Sequence, residues 1–419
     1  VRPGSSTPTN SFQLSALNCL IAESRLLRAY MTPEPQANGP IVPSSAIGLY
    51  IHVPFCKTKC PYCDFNTYQG IEGLMEPYLE ALTTELRLWG LVLAHPGVNT
   101  VFFGGGTPSY LPDGHLRQML EAARLAFQFQ ADAEITVEAN PDDLDLAACR
   151  RLLDLGVNRL SIGVQSLDND LLAQLGRRHD AAQAIAACRI AQKAGFRNIN
   201  LDLMYGLPHQ TMPQWEDTVQ RLVALQPSHI SLYCLTLEEG TPLHRWVRQG
   251  KLPEPDPDLA ADMYHYAEGV LEGSGYHHYE ISNWSLPGFA AQHNLTYWLN
   301  RPYLGVGPGA HSSLGHCRFW VVDSPRDYIS RVKRWAGSDH QPTAALTEAE
   351  LGGIPPVEGQ ECISPELACA ETMFLGLRLL DGIDLTAASS QVGRDLGELY
   401  QPQIDELLQL GLLEWQEGR

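Results

Sequence analysis

The stretch Tyr50-Ile51-His52-Val53-Pro54-Phe55-Cys56-Lys57-Thr58-Lys59-Cys60-Pro61-Tyr62-Cys63-Asp64-Phe65 ends an apolar strand and then offers three cysteines within eight residues, spaced C-x3-C-x2-C. Three thiolates on a short loop suit an iron–sulfur cluster, because its metal corners are only a few ångströms apart and soft sulfur is their preferred donor. Position 65, where another cysteine would extend the set, is Phe65. A cluster held by Cys56, Cys60 and Cys63 therefore keeps one iron without a protein thiolate, a corner open to chemistry. The competing readings are a structural zinc site completed by His52 or a distant residue, and three unrelated buried thiols.

The surrounding composition fits a globular protein. With 419 residues the soft prior is about two to three domains, and 44% hydrophobic content is ample for a core. Lys plus Arg at 29 against Asp plus Glu at 48 gives a net charge of -19, which repels polyanions and argues against a nucleic-acid partner. Ten cysteines, three of them in one loop, do not make a dense disulfide framework. A reducing cytoplasm is the expected compartment. The longest apolar runs fall short of the about 20 residues that span a bilayer.

Residues 1–46, rich in Pro, Ser, Thr and Asn, read as a disordered tail with one amphipathic patch from Phe12 to Tyr30. Because the chain opens on Val1 and a methionine stands at Met31, the natural start is expected at Met31. From Ile47 onward, β-branched runs alternate with amphipathic helical stretches, the pattern of βα units around a parallel sheet. Strands are predicted at Gly48 to Val53, Thr100 to Phe103, Glu134 to Glu138, Arg159 to Gly163, Asn198 to Met204 and His229 to Cys234, with helices such as Met75 to Leu91 and Leu116 to Phe127 between them. The predicted fold is α/β: a partial (β/α)6 barrel over 47–285, then a pocket-closing segment over 286–341, a polar link over 342–365 and a small, mainly helical domain over 366–419. Within these, Arg318 to Val322 reads as a strand and Leu304 to His311 as a glycine-rich closure. The last unit carries helical spacing in Thr372 to Leu380 and Leu396 to Leu408, and a short strand near Leu412 to Trp415.

In parallel barrels the working groups sit at the C-terminal ends of strands, and the distinctive residues fall there. Gly104-Gly105-Gly106-Thr107-Pro108 follows the second strand, where glycines let backbone approach a ligand, or simply make a tight turn. The third strand delivers Glu138, able to accept hydrogen bonds from a ribose or an ammonium group. The fourth ends in Gln165, on the same side as Gly163. Arg177 has the planar fork to clamp a carboxylate, with Arg178 as a competing neighbour. The fifth strand carries Asp202, whose buried carboxylate needs partners, either cofactor hydroxyls or Arg177.

These segments, in this order, resemble the branch of the radical S-adenosylmethionine superfamily that contains oxygen-independent coproporphyrinogen III dehydrogenase, from about Gly48 to the C-terminus. The resemblance implies a 4Fe-4S cluster on Cys56, Cys60 and Cys63 whose fourth iron chelates S-adenosylmethionine. It places Gly105, Gly106 and Thr107 against the amino group of that cofactor, and Tyr50 and Tyr62 in the same shell. The dehydrogenase carries a further cysteine two residues after the third ligand, whereas Asp64-Phe65-Asn66 here is the pattern of the branch's heme chaperones. His293-Asn294-Leu295-Thr296-Tyr297-Trp298 matches the H-N-x-x-Y-W motif of those chaperones. Imidazole is an axial ligand for heme iron, and Tyr297 and Trp298 offer flat apolar area to a porphyrin.

The implied function is heme delivery: a chaperone that holds the cluster, S-adenosylmethionine and heme, and passes heme to acceptor hemoproteins. The alternative is a dehydrogenase that generates a 5'-deoxyadenosyl radical and decarboxylates two propionates. The expected partners are heme, acceptor hemoproteins that could include membrane-bound respiratory proteins, and a reductant for the cluster. The chain could pair as a homodimer and could sit peripherally at a membrane.

Overall fold

The computed structural model describes residues 41–43, 45–337 and 346–416. The amphipathic patch from Phe12 to Tyr30, the expected start at Met31 and most of the expected tail lie outside the described residues. The last part of that tail is packed rather than loose: Ile41 is buried and its N–H donates to the Leu346 carbonyl at 3.2 Å.

Strands form where apolar residues alternate with small or polar ones, because successive side chains of a strand point to opposite faces. Among the described residues twelve result: β1 (Ile47–Val53), β2 (Gly97–Gly105), β3 (Gln128–Ala139), β4 (Arg159–Gln165), β5 (Asn198–Tyr205), β6 (His229–Cys234), β7 (His277–Glu280), β8 (Asn283–Ser285), β9 (Tyr303–Val306), β10 (His311–Leu314), β11 (Cys317–Val321) and β12 (Val357–Cys362). All six predicted βα strands are present, within a single sheet ordered β12-β11-β10-β9-β1-β2-β3-β4-β5-β6-β8-β7. β1 to β6 pair in parallel and in sequence. The partial barrel extends at both edges. β9 returns parallel to β1, with Gly48 opposite Tyr303 and Ile51 opposite Val306, and β8 and β7 add antiparallel strands beyond β6. The sheet is an open one.

One set of side chains, including Leu49, Ile51, Val101, Phe103, Val137, Ile162, Leu201 and Ile230, is fully buried. Each such aliphatic or aromatic residue contributes about 1.5–3 kcal/mol of transfer free energy. The alternate set is polar: Thr100, Thr136, Ser161, Asn200, Ser231 and His229 are also buried, and they line a common interior. Between strands run helices Met75–Val92, His115–Ala126, Leu146–Asp154, Asn169–Gln174, Ala181–Ala194 and Met212–Val223. Their starts are sequence-encoded; Asp180 and Gln183, for example, exchange side-chain-to-backbone bonds in a capping box.

The chain divides into two compact units, one spanning 37–296 and 301–361, the other including 297–300 and 362–419. In the second, helices Pro365–Gly376, Leu385–Val392, Leu396–Leu399 and Gln401–Gln409 surround buried Cys369, Ala388 and Leu396. Cys369 is thus a core thiol. The first of these helices starts and ends earlier than periodicity suggests, because Ser364 caps it and Pro365 occupies its first turn. The predicted strand at Leu412 to Trp415 is not formed; those residues make a bend and irregular coil, and Trp415 is exposed. The segment read as a polar link instead contains a 3-10 helix, Glu348–Gly353, and sheet strand β12. Among the described residues no helix is long and apolar enough to cross a membrane.

Candidate metal and cofactor site

The cysteine loop leaves β1 at the C-terminal edge of the parallel sheet and is tied down before it reaches the next helix. Cys56 N–H donates to the Tyr68 carbonyl at 2.9 Å and Tyr68 N–H returns to Pro54 at 2.8 Å. Lys59 Nζ donates to the carbonyls of Phe65 and Thr67, both at 3.0 Å, closing the loop across its own base. Asn66 Nδ2 donates to the Pro308 carbonyl at 3.0 Å and the Asp323 carbonyl at 2.9 Å, anchoring its far end to the β9–β10 turn and to the segment after β11. The three thiols are half-buried, and none is in a disulfide. Thr107 Oγ1 donates to Cys56 Sγ at 3.4 Å, and Arg177 Nη1 donates to Cys60 Sγ at 3.5 Å. Burial pushes the Cys56 and Cys63 thiols above their ordinary range, a tendency that metal ligation reverses by taking the thiolate directly. This donor set fits an iron–sulfur cluster: soft ligands on one restrained loop, with hydroxyl and guanidinium donors aimed at sulfur.

His52 does not complete a zinc set. Its Nδ1 faces Tyr50 Oη at 3.0 Å and its Nε2 the Asn66 carbonyl at 2.9 Å, so both ring nitrogens serve the fold. Tyr50 is correspondingly spent on orienting that imidazole and stacks near Phe102.

The glycine segment crosses the loop so closely that side chains are excluded. Gly106 N–H donates to Val53 at 2.7 Å and Thr107 N–H to Phe55 at 2.9 Å; a Cβ on Gly106 would stand 2.6 Å from each of those carbonyl oxygens. Gly105 adopts φ +98, and a Cβ there would meet the His52 ring at 2.4 Å. Its N–H donates to Glu138 Oε2 at 3.2 Å. Burial, reinforced by the nearby Asp202 charge, pushes the Glu138 carboxyl up to about 8.

Gln165 ends β4 in the left-handed region, φ 66, at an irregularity in the pairing with β5. That turn lays its amide over Gly163, within reach of Arg177. Arg177 donates to Asn140 Oδ1 and to the Gly163 carbonyl at 2.8 Å, and reaches Tyr62 Oη at 3.5 Å. Arg178 is taken up elsewhere, pairing with Asp142 at 2.7 Å and Asp143 at 3.1 Å. Of the two partners offered for Asp202, Arg177 is not taken up. Asp202 instead accepts from Ser161 Oγ at 3.0 Å and Asn200 Nδ2 at 2.7 Å, with burial raising its carboxyl above the ordinary range.

Those partners belong to a polar chain that sequence reasoning missed. Asn200 Nδ2 also donates to Ser161 Oγ, Asn200 Oδ1 accepts from Ser231 and His229, and His229 Nε2 faces Tyr279 Oη at 2.8 Å. Its signal in the sequence is the polar half of the strand alternation, Arg159-x-Ser161-x-Gly163, Asn198-x-Asn200-x-Asp202 and His229-x-Ser231. Asn140, just past β3, is a further missed neighbour.

The structure places the H-N-x-x-Y-W residues on the helix Gln292–Trp298. Glu134 accepts from the N–H groups of Gln292 and His293 at 3.1 and 3.0 Å, an anion at a helix N-terminus. The His293 side chain is 1% exposed, its Nδ1 facing Thr100 Oγ1 at 2.8 Å and its ring stacked on Phe102. Burial, helped by Arg159, lowers it to about 3, so the imidazole is neutral. Thr100 lies five residues before Gly105 along β2, so His293 sits deep in the barrel rather than at the strand ends. In this conformation it offers no surface to a heme. Tyr297 and Trp298 fall in the other compact unit, where Arg378 lies over the Trp298 ring, 4.1 Å from its centroid.

Comparison with known proteins agrees with this layout. Residues 50–222 match the radical SAM superfamily, and residues 363–419 match the HemN C-terminal domain. The heme chaperone HemW of Bacillus subtilis is 35% identical over 88% of this chain and 93% of its own length. HemW of Mycobacterium tuberculosis is 36% identical over 90% of this chain and 91% of its own. Among solved structures, coproporphyrinogen III oxidase (HemN) from Escherichia coli, a radical SAM enzyme, superposes with a TM-score of 0.73 at 24% identity, covering 88% of this chain and 83% of that one, a likeness of fold.

Proposed function

Because the chain belongs to the HemW family within the radical SAM superfamily, we propose that it is a heme chaperone that carries a 4Fe-4S cluster on Cys56, Cys60 and Cys63, holds S-adenosylmethionine beside it, and delivers heme to acceptor hemoproteins. The observation that carries the cofactor part is the convergence of the cysteine loop, the Gly105–Gly106 crossing and Glu138 at one end of the sheet. When bound, the cluster supplies one-electron chemistry at its open iron.

The residues of the chain have distinct tasks in this reading. Thr107 and Arg177 point donors at cluster sulfur, and Glu138 offers a carboxylate to a cationic or hydroxyl group of the cofactor. Gln165 supplies an amide beside Arg177, and Tyr62 lies between two cluster ligands. Asp202 stands further in, reaching a cofactor hydroxyl only if its bonds to Ser161 and Asn200 are shared. Phe65, 63% exposed where the dehydrogenase has its further cysteine, favours the chaperone over the enzyme. Heme binding is assigned to the segment around Tyr297 and Trp298, with His293 securing the helix that carries them. The partners this reading calls for are heme, hemoprotein acceptors and a reductant for the cluster.

The test is anaerobic reconstitution followed by parallel heme titration and coproporphyrinogen turnover. Saturable heme binding and transfer to an apo-hemoprotein, without coproporphyrinogen consumption, are expected. Turnover of coproporphyrinogen without heme retention would reverse the assignment.

A further inference from the structure

A second donor cluster lies at the β7 edge of the sheet, seven strands away from β1, which leads into the cysteine loop. Helix Pro257–Gly273 carries His265, Glu268 and Glu272, spaced three and four residues apart and so along one face. Strand β7, the terminal strand, brings His278 against them. Ligand atoms of Glu268, Glu272 and His278 all lie within 4.8 Å of one another, while His265 Nδ1, 3.5 Å from Glu268 Oε2, stays outside that group.

His278 itself points to a ligand. The residue is 5% exposed, and its ring is clamped flat against Trp284, centroids 3.9 Å apart and 9° from parallel. Its Nε2 faces the Ile281 carbonyl and Tyr264 Oη, each at 3.3 Å. A carbonyl can only accept, so this side of the ring carries the N–H, and the orientation is that of a metal-binding histidine fixed by a backbone carbonyl. Nδ1, also buried, stands 3.4 Å from Glu268 Oε1 without the alignment of a hydrogen bond. A buried ring nitrogen aimed at a partly exposed carboxylate without a hydrogen bond is a pair that a cation can bridge.

We propose that His278, Glu268 and Glu272 bind a borderline divalent transition-metal ion, best matched by zinc, that staples the helix to the terminal β7–β8 hairpin. One imidazole and two carboxylates, with a fourth position left to water, suit zinc, whereas magnesium and calcium take oxygen donors alone. The site shares no residue with the cysteine loop and stands independently of the heme reading.

The test uses full-length protein whose cluster has been reconstituted, so that the loop thiols are already occupied, titrated anaerobically with zinc ion by calorimetry. Wild type should take up one zinc per chain beyond the cluster and gain thermal stability from it. Glu268→Gln and His278→Ala should weaken binding by at least about tenfold. Since His278 also packs on Trp284, the exposed Glu272→Gln is the decisive variant: it spares the packing, and should lose both affinity and the thermal gain. No uptake by wild type, or equal uptake by Glu272→Gln and Glu268→Gln, would overturn the proposal. So would nitrogen NMR showing a proton on His278 Nδ1 that zinc does not displace, the signature of an ion pair only.

Discussion

Replacing Gly106 with Ala probes the crossing on which the candidate site depends. The backbone there does not need φ > 0, so the substitution adds a methyl group without torsional strain. That methyl would stand 2.6 Å from the carbonyl oxygens of Val53 and Phe55, where ordinary contact begins near 3.4 Å. Both obstacles are backbone in or beside a buried strand and cannot rotate away, so the glycine segment must lift by about 0.8 Å, the difference between those distances. Lifting stretches the bonds Gly106 N to Val53 O and Thr107 N to Phe55 O, now 2.7 and 2.9 Å, and draws Thr107 from Cys56. Overpacking plus two weakened hydrogen bonds should cost about 2–4 kcal/mol. Urea unfolding of the metal-free protein measures this, and calorimetry on reconstituted protein should show S-adenosylmethionine affinity reduced at least tenfold. Gly114→Ala is the control: it has φ +94 but nothing within 4 Å of the new Cβ, so it should cost only about 1–2 kcal/mol of left-handed strain and leave affinity unchanged. A Gly106→Ala protein with wild-type stability and affinity would refute the steric argument and remove the crossing from the site.

With its carboxyl raised to about 8, Glu138 holds a proton at neutral pH in the ligand-free protein. If it pairs with a cationic group, S-adenosylmethionine affinity should rise with pH, approaching tenfold per unit below about 8, and level off above it; Glu138→Gln should flatten that profile in calorimetry, and parallel profiles would exclude the pairing. Arg177→Lys keeps the charge but loses the fork shared among Asn140, Gly163, Tyr62 and Cys60; the reconstituted cluster should bleach several-fold faster in air with unchanged initial iron and sulfide. His293→Ala should lower stability by about 2–4 kcal/mol through the vacated interior and the lost Thr100 bond, while the heme Soret band keeps its position. A shifted Soret band would instead make His293 an iron ligand.

Local chemistry made much of this protein legible from its sequence. Six strands were found because strand alternation is a property of adjacent residues, and the three-cysteine loop stands out because its thiols lie a few positions apart. The glycine segment, Glu138 and Gln165 followed from lying at strand ends, a position fixed by the βα order. What a side chain faces across the barrel was not legible in the same way. Asp202 finds Ser161 and Asn200 rather than Arg177, and Arg177 rather than Arg178 reaches the loop. His293 goes inward to Thr100, 193 positions away in the chain. Likewise β9 pairs with β1 and β12 joins the sheet edge, although nothing in their short sequences marks the partner. These outcomes belong to the tertiary structure because buried polar groups take whichever partners the closed packing brings within hydrogen-bond distance, and those partners come from strands far apart in sequence.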